Sequence, residues 1–409
     1  MKKTSAFILS AALIFTTAFP CVAFADTATT ATTTETAVTT SAESAVALTP
    51  MSISLEQALE LLKDSPQMEL VEIQYTADKA VATGASEGLR NLEEANDAIK
   101  FLMNSGMPGA DIQARQIEAQ IAGYSKQDLT TTRNFARKML EANNTARNND
   151  LRLQAIELYY TVKNTEALCA IAEENCNISQ SIYESTAKKY SLGVASKVDL
   201  LSAELERDKT KDSLLQAQNG LEQVKMGFNI FFGLDLMQSI TLTDEIATPT
   251  LPAMTLDESI KSALANRNEI KKAEYDFELA ERNFGSKQAY PSNSATYLGA
   301  KVQYLVAQTT KDMQPVLIEQ DVRTKYMTMM QQSEALKTSE KSVANAKESL
   351  RLVQLQYNSG LVTLTILQQT QLGYAAALQS HADATLKYAL AVEEYNLCSG
   401  VGTKAAALQ

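Results

Sequence analysis

The sequence is poor in the residues that many folds and active sites need. It has no tryptophan, 6% aromatic residues, 15 glycines, 8 prolines and a single histidine, His381, among 409 residues. So few breakers exclude a collagen-like or disordered chain, and so few aromatic residues argue against a β-sandwich or β-barrel. One histidine argues against most zinc and general-base chemistry. The formal net charge of −11 opposes binding to nucleic acid, which needs a basic face.

Residues 1–25 have the pattern of a signal peptide. Lys2 and Lys3 precede an apolar run at 6–19, and residues 23–25 read A-F-A, a small-residue cleavage site. The mature chain is therefore expected to begin at Asp26. No later stretch reaches the roughly 18 to 20 apolar residues of a membrane-spanning helix.

Two other fates for this leader remain open. It can stay uncleaved as an anchor, although Pro20 and the good cleavage site argue against this. It can also be lipidated at Cys21, although residues 18–20 are a poor match to the sequence that precedes a lipid-modified cysteine. Residues 26–50 are rich in threonine and alanine without an apolar period. Such a segment cannot offset the entropy of ordering itself, and we interpret it as a linker.

The rest of the chain is predicted to be two copies of one helical plan, at 51–245 and 246–409. Residues 54–59 (SLEQAL) match 255–260 (TLDESI), and both have the capping-box pattern of a helix start. Residues 190–196 (YSLGVAS) align with 357–363 (YNSGLVT), and the same offset of 167 pairs Gly233 with Gly400.

Each aligned turn is predicted to join two long helices. Gly193 and Gly360 stand where a helix end needs a left-handed residue, and Ser196 and Thr363 are positioned to cap the next helix. Asp199 completes a capping box with Ser196, whereas the second copy lacks its equivalent. On both sides of each turn, apolar and small residues recur at spacings of three and four, which is typical of a coiled coil.

The predicted fold class is therefore all-α, with two tandem repeats of long antiparallel coiled-coil hairpins. A continuous helix over 131–190 would be roughly 90 Å long. One chain cannot cover both sides of such thin hairpins, so lateral assembly is expected.

At these residues the sequence resembles the TolC-like outer-membrane efflux protein family. The resemblance rests on the two helix openings at 54–59 and 255–260 and on the two turn-plus-helix segments at 190–234 and 357–402. Each motif is weak alone, and their order and duplication make the set more specific. It covers about residues 52–402.

The resemblance implies a homotrimer whose helices form a hollow tube, with the glycine turns at the tip that faces a periplasmic adaptor and an inner-membrane pump. The residues carried over as partner-binding are Leu192, Gly193, Val194, Ser196, Asp199, Gly360, Leu361, Val362 and Thr363. The simpler alternative is that the glycines only end helices, and both interpretations can hold together.

Two departures from the family stand out. Its members insert β-strands that form an outer-membrane barrel, but residues 84–128 and 285–320 show no convincing strands, so barrel strands are expected to be absent or vestigial. Members often carry carboxylates just past the second turn, where this chain has Ile366 and Gln369. A tight acidic gate is therefore in doubt.

Catalytic chemistry is not indicated. No phosphate loop, metal-ligand spacing or catalytic triad is present, so we expect no enzyme, no metal and no cofactor. His381, Cys169, Cys176 and Cys398 fall at seam positions, where we expect packed side chains and no disulfide framework.

Two functions remain. The first is an exported efflux-channel subunit that conducts small molecules or proteins with a pump and adaptor. The alternative is a secreted helical scaffold or envelope spacer without a pore. Either protein belongs to the cell envelope: the outer membrane where the organism has one, otherwise the cell surface or the medium.

Overall fold

A computed structural model describes residues 50–122, 125–246, 252 and 254–408. The predicted signal peptide and nearly all of the predicted linker lie outside these residues. The elements, in chain order, are β1 (Met51–Ile53), α1 (Leu55–Leu61), a 3₁₀ turn (Leu62–Asp64), α2 (Pro66–Asn104), α3 (Ala110–Ile121), α4 (Lys126–Ser191), α5 (Lys197–Phe232), β2 (Ile240–Leu242), α6 (Leu256–Asn266), α7 (Asn268–Lys287), α8 (Ala295–Asn358) and α9 (Leu364–Cys398).

The helices α1 and α6 begin at the capping boxes that the sequence predicts. The Ser54 backbone N–H donates to Gln57 Oε1 at 2.9 Å, and the Gln57 N–H donates to Ser54 Oγ at 3.1 Å. Thr255 and Glu258 form the same reciprocal pair. Hydrogen bonds from Thr255 hold the pKa of Glu258 below its usual value. Both predicted helix starts are therefore confirmed.

Two long antiparallel hairpins, α4–α5 and α8–α9, form the body. Helix α4 has 66 residues and is therefore about 100 Å long, which confirms the continuous helix predicted over 131–190. Helix α8 has 64 residues. The hairpins meet where α4 packs against α9. By their main contacts the four helices follow one another in the order α5, α4, α9, α8, so that α5 and α8 stand at the two ends of this order. Beside the turns, α8 also contacts α4.

The regions inserted before each hairpin are also helical. Helix α2 is antiparallel to α4, since Lys126 pairs with Glu93 and Asn143 with Asp78. The turn between α2 and α3 contains two left-handed glycines, Gly106 and Gly109, with φ of 64° and 79°. In the second copy α7 packs along α8. Tyr290 and Pro291 lie in the short connection between α7 and α8.

A small parallel sheet, which the sequence does not predict, joins the start of the first copy to its end. Met51 pairs with Ile240 and Ile53 with Leu242. The sheet covers a core that includes Tyr159 and Phe228, both fully buried. The Tyr159 hydroxyl donates to the carbonyl of Ile53 at 3.2 Å and accepts from the Asp244 N–H at 3.1 Å.

The ends of the two copies differ more than their alignment indicates. Gly233 ends α5 with φ of 71°, but its aligned partner Gly400 is not left-handed, and Gly402 takes that conformation instead with φ of 79°. The reason is that α9 ends at right-handed Ser399. The chain turns only at Gly402, where an added Cβ would lie 3.1 Å from the side chain of Arg267.

The chain after Gly402 lies against α4 and α7 and is fastened there by asparagine side chains. Asn143, fully buried on α4, donates to the carbonyl of Ala406 and accepts from the N–H of Ala406, both at 2.8 Å. Asn149 donates to Gly402 O at 3.0 Å, and Asn268 of α7 donates to Lys404 O at 3.4 Å. This strap links the first hairpin to the second copy.

The three described cysteines lie on the long helices α4 and α9, and none of them is in a disulfide. Cys176 and Cys398 are buried. Burial raises the pKa of the Cys398 thiol to about 11, so this group stays protonated and its sulfur donates to Tyr395 O at 3.1 Å.

We predict that Asn143→Ala lowers the free energy of unfolding by about 2 to 4 kcal/mol, because Ala406 N–H and C=O would remain buried without partners. Urea denaturation followed by far-ultraviolet circular dichroism measures this. The control is Asn177→Ala, an exposed position on the same helix, where a change within about 0.5 kcal/mol is expected. Equal effects at the two positions would contradict the role of the strap.

Candidate functional site: the two hairpin turns

The α4–α5 and α8–α9 turns share one backbone geometry. At the first turn the Val194 N–H donates to Lys189 O and the Gly193 N–H to Tyr190 O, both at 2.9 Å. At the second, Leu361 donates to Gln356 O at 2.9 Å and Gly360 to Tyr357 O at 3.1 Å. These pairs form the Schellman motif, which needs a left-handed residue at the glycine. Gly193 and Gly360 supply it with φ of 73° and 75°.

The helices that follow the turns begin differently. Ser196 accepts from the Asp199 N–H at 3.1 Å, and Asp199 Oδ2 accepts from the Ser196 N–H at 3.1 Å. This capping box is confirmed. Thr363 has the extended backbone of an N-cap residue but forms no side-chain cap. The predicted N-cap position of Thr363 is therefore confirmed, but the side-chain bond expected of it is absent, and α9 begins without the reciprocal bond that a carboxylate at position 366 would supply.

The two turns lie side by side because the ends of α4 and α8 are bonded to each other. The hydroxyls of Thr186 and Tyr357 lie 2.8 Å apart and are buried. Lys189 Nζ donates to Tyr357 O at 2.8 Å and lies 3.6 Å from the centre of the Tyr357 ring. Burial lowers the pKa of Lys189. These contacts fix the register of the two hairpins at this end.

Beneath the turns, the starts of α5 and α9 close a small core with α4 and α8. Ala203, Leu364 and Leu367 are buried in it. Farther from the turns, Gln371 is 2% exposed and donates to Asn175 Oδ1 and to Ser179 Oγ, both at 2.7 Å. All four helix ends are thus held by packing together with buried polar contacts.

The sequence-predicted residues divide into an exposed set and a supporting set. Leu192, Val194 and Leu361 are 70–76% exposed and project from the turns. Val362 is half-buried and packs on the core below. Both glycines, Ser196 and Asp199 shape the turns rather than offer free side chains. Val198, between the capping residues Ser196 and Asp199, is 75% exposed, and it is not among the residues that the sequence predicts for the contact surface.

The described residues at the turns are not arranged as a reactive centre. The described residues contain no group of three histidine, cysteine, aspartate or glutamate side chains that could hold a metal ion. His381 lies half-buried on the α8–α9 seam, with Nδ1 3.1 Å from Ser339 Oγ. This contact fits the seam position that the sequence predicts for it. The turns therefore present a contact surface of apolar side chains on a rigid frame.

We predict that Tyr357→Phe accelerates amide hydrogen exchange in residues 182–190, because Thr186 loses its buried partner, a loss of about 1 to 2 kcal/mol. The matched control is Tyr190→Phe at the aligned position of the first copy. Tyr190 is 41% exposed, so exchange should stay unchanged there. Protection that is identical in both variants would show that the hydroxyl bond does not hold the turns together.

We also predict that Gly193→Ala lowers stability by about 1 kcal/mol through left-handed strain, since nothing within 4 Å obstructs an added Cβ. Gly220→Ala, equally unobstructed within α5, should raise stability by about 0.5 to 1 kcal/mol because alanine favours the helix. Thermal unfolding of the two variants measures both effects. If the unfolding temperatures of the two variants shifted in the same direction, the strain proposed at Gly193 would be refuted.

No protein-family model and no curated protein sequence matches this chain. Several solved structures do match this chain. The outer membrane protein VceC from Vibrio cholerae has a TM-score of 0.62 at 13% identity, covering 86% of this chain and 97% of VceC. The CmeC outer membrane channel of Campylobacter jejuni has a TM-score of 0.58 at 12% identity, covering 86% of each chain. The MtrE outer membrane channel of Neisseria gonorrhoeae, in its open state, has a TM-score of 0.52 at 15% identity, covering 86% of this chain and 90% of MtrE.

These matches extend over the helical body and carry no close sequence similarity. Among the described residues, none of the helices combines the length and hydropathy of a membrane-spanning segment. The predicted architecture of tandem helical hairpins is confirmed. The chain has the TolC-like fold that is found in these outer-membrane channels.

Proposed function

We propose that this chain is one subunit of an export conduit in the cell envelope, which works with a separate pump and adaptor. The observation that carries the proposal is the joined pair of hairpin turns on a TolC-like body. Two aligned Schellman turns with exposed apolar residues end a helical array that matches 97% of the length of VceC. A fold of this length with no reactive centre among its described residues suits passage or support rather than catalysis.

The outer edges of the helical array favour assembly of several copies. Leu201 and Leu205 on α5 are 50% and 57% exposed, and Leu352 and Leu355 on α8 are 45% and 54% exposed. The two helices lie at opposite ends of the order α5, α4, α9, α8. Pairing α5 of one copy with α8 of the next is a head-to-tail contact, which closes into a ring when the rotation permits. These edges support a ring, and we propose that it is a homotrimer because the resemblance to the TolC-like family implies that number.

The turns are the proposed adaptor contact. Leu192, Val194 and Leu361 present apolar side chains that another helical hairpin can pack against, while Gly193 and Gly360 keep the turns narrow. Ser196, Asp199, Val362 and Thr363 define the shape beneath them. In this proposal the pump supplies the energy, and the chain provides only the path.

The proposal includes export of the chain to the envelope. Cleavage after residue 25 releases a mature protein whose residues 26–50 act as a linker ahead of the two helical repeats at 51–245 and 246–409. The location is the outer membrane where the organism has one, and otherwise the cell surface or the medium.

A second function, a helical scaffold or spacer without a pore, is favoured by one observation. The inserted regions form the helices α2, α3 and the first part of α8, and these helices carry exposed apolar side chains such as Phe101, Met103 and Val302. Such surfaces suit contact with further protein, which is the contact that a scaffold or spacer makes.

The two functions are separated by measurements on the mature chain. Light scattering in detergent should give three chains per particle, and the particles should conduct ions across a planar bilayer. Leu201→Glu with Leu205→Glu should reduce the particle to one chain by placing charges on the α5 edge. Met103→Glu with Met107→Glu, equally exposed but outside the long hairpins, should leave three. Trimers that never conduct would favour the scaffold, and monomers under all conditions would contradict the conduit.

A further inference from the structure

The charge around the turns is opposite in sign to that of the whole chain. The chain carries a formal net charge of −11. Residues 185–203, which surround the first turn, contain Lys188, Lys189, Lys197 and the single carboxylate Asp199. All four lie within six residues of Gly193, or about 9 Å along a helix. The first turn therefore has a local net charge of +2.

The second turn contributes no charge to offset this. The 31 residues from 352 to 382 contain no aspartate, glutamate, lysine or arginine. They include the end of α8, the whole turn and more than half of α9. The bond between Lys189 and Tyr357 holds the two turns together. The lysines of the first turn therefore determine the electrostatic potential at both turns.

Two of the three lysines remain exposed to solvent, Lys189 is held against Tyr357, and the one carboxylate of this segment is occupied. In the part of the chain that the structure describes, none of the three lysines forms an ion pair; Lys189 and Lys197 lie over the rings of Tyr357 and Tyr190. Lys188 and Lys197 are exposed. Asp199 Oδ2 accepts two hydrogen bonds from Ser196, at 2.7 and 3.1 Å.

Farther from the turns the charges are balanced by local pairing. Arg207 pairs with Glu204 at 3.5 Å, and Arg351 pairs with Glu348 at 2.8 Å. On α4, Glu184, nine residues before Gly193, accepts a hydrogen bond at 2.7 Å from the neutral amide of Gln180, so its negative charge is the first to oppose the lysines on that side. The excess positive charge is therefore confined to the end of the hairpins.

We propose that this end forms an anion-selective mouth, so that the conduit carries anionic and neutral small molecules in preference to cations. The inference rests on the proposed function, since it requires the turns to encircle a path. Three copies would bring about six excess positive charges to one ring. At a point about 10 Å from each of these charges, in 0.1 M salt, the concentration of monovalent anions would be roughly fivefold higher than in bulk solution.

The test is the reversal potential of single channels of the full mature chain in a neutral-lipid bilayer under a potassium chloride gradient. The wild-type channel should favour chloride over potassium. Lys188→Gln, Lys189→Gln and Lys197→Gln together should lower the chloride-to-potassium permeability ratio at least fivefold. Because Lys189 also binds Tyr357, a second variant with only Lys188→Gln and Lys197→Gln keeps that contact and should lower the ratio by a smaller factor.

The charge-matched control replaces Lys211, Lys341 and Lys347 with glutamine. These exposed lysines lie 13 or more residues from either turn glycine, about 20 Å along the helices, and their removal should leave the ratio nearly unchanged. A wild-type channel that prefers potassium, or an equal shift in the control, overturns the selective mouth but not the conduit. A wild-type chain that conducts nothing refutes the proposed function and the inference with it.

Discussion

A hairpin that pairs one helix of about 100 Å with one of about 50 Å is too thin to bury its own apolar residues. Each helix of a hairpin has one face toward its partner, and neighbours must cover the others. In this chain α4 has the most neighbours, since α2, α5 and α9 pack on it, whereas α5 and α8 keep exposed leucines along their outer sides. This shortage of burial within one chain is the constraint from which the row of helices and the proposed ring follow.

A long helical array also needs contacts that fix the register, because apolar seams alone tolerate sliding by a heptad. Buried polar groups supply them at three levels. Asn143 holds the strap at Ala406, Gln371 joins α9 to α4, and Tyr357 joins α8 to α4 beside the turns. Each would lose its partner after a slip and leave a polar group buried without a bond, which costs more than the bond itself contributes. The turns are thereby held level with each other.

Local chemistry made much of this structure predictable. The helix starts at Ser54, Thr255 and Ser196 depend on residues three positions apart, and the left-handed turns depend on glycine, so both can be read directly from the sequence. The β1–β2 pairing could not be predicted, since its strands have three residues each and lie far apart in the chain.

The strap could not be predicted either, because Asn143 binds main-chain atoms that any residue possesses. At the turns, Thr363 has the right residue type for a cap but lacks the reciprocal partner at position 366. The exposed Val198 needed the three-dimensional turn to be recognised as part of the contact surface.

The central claim is that α5 of one copy lies against α8 of the next. Leu201 and Leu352 each stand eight residues from their turn glycine, so they lie at the same level of the array, one on each outer edge. Both should be changed to cysteine in a mature chain whose Cys169, Cys176 and Cys398 are alanine, and the protein then oxidised and run on a denaturing gel. The account predicts covalent species that stop at three chains and require both cysteines. Monomers alone, or a ladder that continues past three, would contradict it.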